Sequence, residues 1–173
     1  MATAENGGKK VTLTQVRMSD LYLFLEGFAP GDFSSIGAMR KTDGALKQME
    51  KVAKGYLDRV NAVYRKMNET AEPYRIKFAE INKDLGEKES TPDEKKRLES
   101  LKQAIESEAN QKIKPLSEEL EKLSKEDGEK QVSLSFNPEY YVQIVDLLKK
   151  EGLKRFKVRL PLLEVMDAFE VTE

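Results

Sequence analysis

The chain contains neither histidine nor cysteine, so the pairs that most often activate a nucleophile, Ser–His and Cys–His, cannot be built from it. The same absence removes imidazole and thiolate ligands for zinc, and all disulfides. Carboxylates remain. They gather at Glu118, Glu119 and Glu121 and at Asp93 and Glu94, among lysines and at the solvent-facing positions of a helical pattern, where pairing between residues four apart accounts for them. No Asp-rich loop has calcium-binding spacing, and no glycine loop resembles a phosphate cradle. The expectation is a protein that is not an enzyme and holds no cofactor or metal.

Two groups of charges have the spacing of a contact surface. Between Lys83 and Arg97 five acidic residues are mixed with five basic ones. Asp84, Glu87, Glu89, Asp93 and Glu94 stand where a long hairpin would turn; they can reach a partner's metal or basic channel, or simply keep the turn solvated. Lys149, Lys150, Lys154, Arg155, Lys157 and Arg159 are opposed within their stretch by Glu151 alone. That run reads either as a strand edge protected by cations or as a docking surface for an acidic partner or a phosphate backbone. Glu164, Asp167, Glu170 and Glu173 follow it and can neutralise it in the fold. Few aromatic residues accompany these cations, so base stacking is not suggested.

A formal net charge of −1 argues against nucleic-acid binding by bulk electrostatics. The longest apolar run, Leu21 to Leu25, is too short to span a bilayer, and no signal-peptide pattern precedes it. Protein partners in a cytoplasmic setting are therefore expected.

The element that must position these groups is a pair of long helices. Apolar residues recur at steps of three and four along Val60, Val63, Met67, Ala71, Tyr74, Phe78, Ile81 and Leu85. They recur again along Leu98, Leu101, Ile105, Ala109, Ile113, Leu116, Leu120 and Leu123, one stripe down each helix. Pairing Leu85 with Leu98, Ile81 with Leu101, Phe78 with Ile105, Tyr74 with Ala109 and Val60 with Leu123 keeps the two residue numbers at a nearly constant total, as an antiparallel hairpin requires. Each stripe covers 25 residues in seven steps, close to the period of a straight helix, so an antiparallel coiled coil with weak supercoiling is expected. Gly86 suits a left-handed cap ending the first arm. Thr91-Pro92-Asp93-Glu94 opens the second with an N-cap, a first-position proline and a capping-box glutamate, and Gly128 stops it. Pro73 and Pro115 face each other's neighbourhood across the hairpin. Each removes one backbone bond, which predicts a shared bend or local opening, read as a tolerated kink or as a hinge.

The flanking segments divide the chain. Residues 1–10 are small and polar and are expected to be disordered. Residues 11–44 and 129–173 form a base, and 45–128 the hairpin, with its tip near 86–91. Within the base, Val11 to Leu13 reads as a short strand and the stretch to Glu26 as a helix ended by Gly27. The first arm begins between Ser34 and Asp43. Gln131 to Phe136 alternates as a strand, and Asn137-Pro138 starts a helix whose apolar face includes Val142 and which Gly152 closes. Lys154 to Leu160 alternates once more as a strand, and Pro161 opens a last short helix or an extended tail through Phe169. The fold class expected is mainly α (α+β): a long antiparallel helical hairpin projecting from a small base, with a short two- or three-stranded sheet made by the N- and C-terminal segments.

Three fragments, the opening Lys10-Val11-Thr12-Leu13-Thr14 with its helix, Arg40-Lys41-Thr42, and Val165-Met166-Asp167-Ala168-Phe169-Glu170, resemble small helical proteins of unknown function from tailed bacteriophages. That family has no assigned activity, so the resemblance implies only a phage or bacterial source. In architecture the chain also looks like the coiled-coil secondary-channel regulators of bacterial RNA polymerase, though it lacks their cysteines and an Asp-x-x-Asp tip. The expected function is a non-catalytic protein-protein interaction module acting in assembly or host modulation, in the host cytoplasm if phage-encoded. The alternative is a transcription regulator that inserts the hairpin tip into RNA polymerase. Self-association as a homo-oligomer through the hairpin's free flank is a third reading.

Overall fold

A computed structural model describes residues 8–87, 91–155 and 159–170. The fold is mainly helical, with two long helices and one small antiparallel sheet, in the order β1 (Lys9–Thr14), α1 (Gln15–Glu26), α2 (Ile36–Glu87), α3 (Pro92–Leu123), β2 (Gln131–Phe136), α4 (Pro138–Arg155) and α5 (Arg159–Ala168). A 3₁₀ turn at Pro30–Asp32 precedes α2, and a π-helical turn at Ser124–Gly128 follows α3. The chain divides into two compact units. One comprises residues up to Asp58 and from Ser124 onward, and the other is Arg59–Leu123.

In the first unit, β1 and β2 pair antiparallel with Val11 opposite Leu134 and Lys9 opposite Phe136. Alternation decides the faces: Val11, Leu13 and Phe136 are buried, while Thr12 and Ser133 meet on the outer face, their hydroxyls 2.7 Å apart. The sheet has two strands; the further strand expected over Lys154 to Leu160 is not formed in its described part, because Lys154 and Arg155 end α4 and Arg159 begins α5. Leu162 and Val165 of α5 and Phe169 just beyond it are buried at helical spacing. The start of β1 at Lys9 also corrects the disorder expected to residue 10: Lys9 bonds Glu170 at 3.0 Å and lies over the Tyr141 ring. Residues 1–7 fall outside the description.

Helix α1 begins at Thr14, whose hydroxyl accepts from the Arg17 amide at 3.3 Å. Its buried residues Met18, Leu21, Phe24 and Leu25 join Ala45 and Met49 of α2, Ile144 and Leu148 of α4, and Val165 and Phe169 of α5 in one core. Two buried polar side chains of α1 are satisfied. Gln15 donates to the Val52 carbonyl at 2.7 Å, and Ser19 to the Gln15 carbonyl at 2.9 Å. The Tyr141 hydroxyl donates to the Phe169 carbonyl beneath their stacked rings. Val142, expected on the inner face of α4, is instead 66% exposed.

Gly86 and Gly152, expected to end helices, lie inside them, and Gly44 is helical as well. Helix α2 starts at Ile36 and passes through Gly44, where any Cβ would lie 2.4 Å from Cζ of Tyr140; the residue is small to admit that ring. Gly152 lies inside α4 for a similar reason, since a Cβ would meet Leu162 at 3.0 Å. No described glycine has a positive φ, and α2 runs through Gly86 to Glu87, so the left-handed cap expected there is not formed.

In the second unit, α2 and α3 form the expected helical hairpin. Lys66 pairs with Glu119 at 3.7 Å, the Tyr74 hydroxyl donates to Glu108 at 3.1 Å, and Lys102 donates to Asn82 at 3.5 Å. All three contacts keep the register read from the stripes. The capping box is present: the Glu94 amide donates to the Thr91 hydroxyl at 3.3 Å, and the Thr91 amide donates to the Glu94 carboxylate at 2.9 Å. Both helices continue unbroken through Pro73 and Pro115, whose rings are exposed. Losing a single bond does not open either helix, and the irregular turn lies at Ser124–Gly128 instead. There a Cβ on Gly128 would meet Val16 at 2.6 Å and the Tyr56 hydroxyl at 2.9 Å, so close approach sets that position.

Candidate functional site

Helical geometry makes one flank of the hairpin unlike the rest. Residues at four-residue spacing advance about 400° around a helix, so each such step rotates the stripe by ~40°. The second arm takes three in succession, Leu101 to Ile105 to Ala109 to Ile113. The stripe therefore winds across the face of α3. Ile105 and Ala109 stay buried at 8% and 9% exposure, while Leu101 rolls out to 49%.

The result is a shallow groove between the arms. Ile81 of α2 and Leu101, Ala104 and Ile105 of α3 line it, with Lys77, Glu80 and Glu108 around them. Ile81 is only 6% exposed, so it and Ile105 form a fixed floor from which Leu101 stands up. Tyr74 and Glu108 hold one end together, and Lys77 lies 5.6 Å over the Tyr74 ring. Outside the groove lining, Lys102 lies 5.9 Å over Phe78 and donates to Asn82. Shallow burial, and after it the Glu108 carboxylate, push the Tyr74 phenol above its ordinary value. Chemically the groove offers apolar contact bordered by charges of both signs, which suits the side of a helix rather than a small polar molecule.

The residues singled out from the sequence are only partly brought together. Asp84 is exposed near the end of α2, and Asp93 is exposed in the first turn of α3, where the helix dipole favours a negative charge. Glu94 is engaged with Thr91, so it serves to start the helix. Glu87 ends α2, its side chain lying outside the described residues together with Glu89.

Of the basic run, Lys149, Lys150 and Lys154 are exposed on α4. Two of them meet acids of the same helix: Lys150 bonds Asp146 at 3.0 Å and Lys154 bonds Glu151 at 3.4 Å. Arg155 ends α4 and Arg159 begins α5, while Lys157 lies outside the description. The described part of this run belongs to helices α4 and α5 and not to a strand edge.

Among the described residues no cluster of three or more acidic side chains is arranged to hold a metal ion, and no helix is long and apolar enough to cross a membrane. The groove was not singled out from the sequence, although the run of four-residue steps that produces it is visible there. No family model, curated protein or solved structure matches the chain.

Proposed function

We propose that the protein is a non-catalytic interaction module that binds other helices through the groove of its hairpin, in a phage- or bacterium-encoded assembly or host-modulating role. The observation that supports this is the half-exposed Leu101 beside the buried Ile81 and Ile105. An apolar side chain raised from a rigid floor between two helices is the usual form of a helix-docking site. Leu101→Glu places a charge in the groove without emptying the hairpin's own core. Affinity capture from bacterial lysate is expected to retain a specific partner with the wild-type chain and to lose it with this variant. Equal capture by both would refute the reading.

The polymerase-regulator reading rests on the tip carboxylates, of which Asp84 and Asp93 are exposed. Alanine at Asp84, Glu87, Glu89 and Asp93 would abolish an effect on transcription by bacterial RNA polymerase while sparing polymerase binding. Indifference to these changes discards that reading.

A further inference from the structure

We infer that the occupant of this groove is a second copy of the same chain, set groove to groove so that two hairpins close a four-helix bundle. The inference rests on the reading of the groove as a protein-binding surface and names its partner.

The hairpin's core is thin. Among the described residues of Arg59–Leu123, the buried apolar side chains are Val63, Ile81, Ile105 and Ala109. Leu101 stays about half exposed in the groove, and Val60, Met67, Ala71, Phe78, Leu98 and Ile113 along the stripes are only partly covered. The two stripes therefore leave part of each other uncovered. A pair of helices that buries so little gains its missing burial most directly from a second layer of helices.

The charge of the hairpin is balanced. Between Arg59 and Leu123 the sequence has fourteen basic residues (Lys and Arg) and fourteen acidic ones (Asp and Glu), interspersed along both arms. Such a surface is matched to neither a strongly acidic nor a strongly basic partner. It meets a copy of itself without net repulsion. A two-fold axis through the groove lays α2 of one copy over α3 of the other, bringing the side of the groove that carries Lys77 over the side that carries Glu108. That is the self-complementary arrangement an isologous dimer needs.

The face is also large enough. The paired arms present a face roughly 40 Å long and roughly 20 Å wide, from ~1.5 Å of rise per residue and ~10 Å per helix. That is roughly 800 Å² per copy, a standard stable interface.

The test is the mass of the full chain in solution, by sedimentation velocity and light scattering over a concentration series reaching hundreds of micromolar. The expected species has twice the monomer mass of 19.7 kDa, and Leu101→Glu, with unchanged helical circular dichroism, shifts it to monomer. A second, independent variant uses the absence of native cysteine. Lys77→Cys chains mixed with Glu108→Cys chains, each altered on one wall of the groove, are expected to form a disulfide-linked heterodimer on mild oxidation, whereas Lys77→Cys mixed with Ser117→Cys, exposed elsewhere on α3, is not. A wild-type chain that stays at monomer mass throughout overturns the inference, as does equal cross-linking in the two mixtures. If the monomeric chain still captures another protein in a Leu101-dependent way, the second copy is excluded as occupant while the interaction reading survives. If neither copy nor other protein responds to Leu101→Glu, both fall.

Discussion

The phenol of Tyr74 on α2 donates to Oε1 of Glu108 on α3 at 3.1 Å, joining residues far apart in the chain at the edge of the groove. Apolar stripes alone let two helices slide by a turn at modest cost. A directional bond between the arms at this level fixes which turn faces which.

Tyr74→Phe retains the ring beneath Lys77 and removes this bond, so the hairpin is expected to melt at a slightly lower temperature at neutral pH. Because the phenol is shifted upward in the fold, its charged form is disfavoured there. Stability is therefore present below the ordinary value of 10.0 and is lost as pH rises through the higher folded value. The phenylalanine variant lacks this loss, and its deficit against wild type is expected to shrink above that pH.

Ile105→Ala removes one of the few fully packed side chains of the hairpin. The expected loss is about 2–5 kcal/mol in chemical denaturation, while Ile76→Ala, at a site 53% exposed, changes stability by less than about 0.5 kcal/mol. Comparable losses at both positions would mean that the buried stripe is misassigned.

Two glycines are expected to respond oppositely to alanine. Gly55 lies within α2 with nothing near the place of a Cβ, so Gly55→Ala is expected to stabilise by about 0.5–1 kcal/mol through helix propensity. Gly128→Ala drives a methyl into Val16 and Tyr56, and is expected to destabilise by about 1–3 kcal/mol. Denaturant midpoints of the two variants check the pair.

Asp20 supplies a pH test on the first unit. Arg17 holds it at 3.1 Å and also bonds Glu164, yet burial raises the Asp20 carboxyl more than Arg17 lowers it. A raised carboxyl is disfavoured in its charged form in the fold, so its contribution falls as pH rises from 3.8 through the folded value. Asp20→Asn is expected to be more stabilising relative to wild type at neutral pH than at pH 3, measured by denaturation at both.

Much of this structure was legible in the residues themselves. The stripe from Val60 to Leu85, its partner from Leu98 to Leu123, and the Thr91–Glu94 box are local signals that the tertiary fold does not override. The glycines were harder. Gly44 and Gly152 look like helix breakers in isolation, and their meaning depends on Tyr140 and Leu162 arriving from distant parts of the chain, whereas Gly128 does end the second arm. The alternation of Lys154 to Leu160 misled at its described ends, where Lys154 and Arg155 continue α4 and Arg159 and Leu160 begin α5. As for the site, charge was easy to see and burial was not. The tip acids and the α4 lysines stood out, whereas Leu101 looked like one more residue of a buried stripe until the drift of four-residue steps carried it to the edge.

The arrangement of the arms bears the whole functional reading, and spin-label distances test it most directly. With nitroxides at introduced cysteines, the pair at positions 66 and 119 is expected to be close, since Lys66 and Glu119 meet at 3.7 Å. The pair at positions 66 and 106 is offset by roughly 20 Å along the axis, from ~1.5 Å per residue along α3, and with arms ~10 Å apart its distance should be longer by roughly 10 Å. Equal distances, or the reverse order, would contradict the register and with it the groove between Ile81 and Leu101.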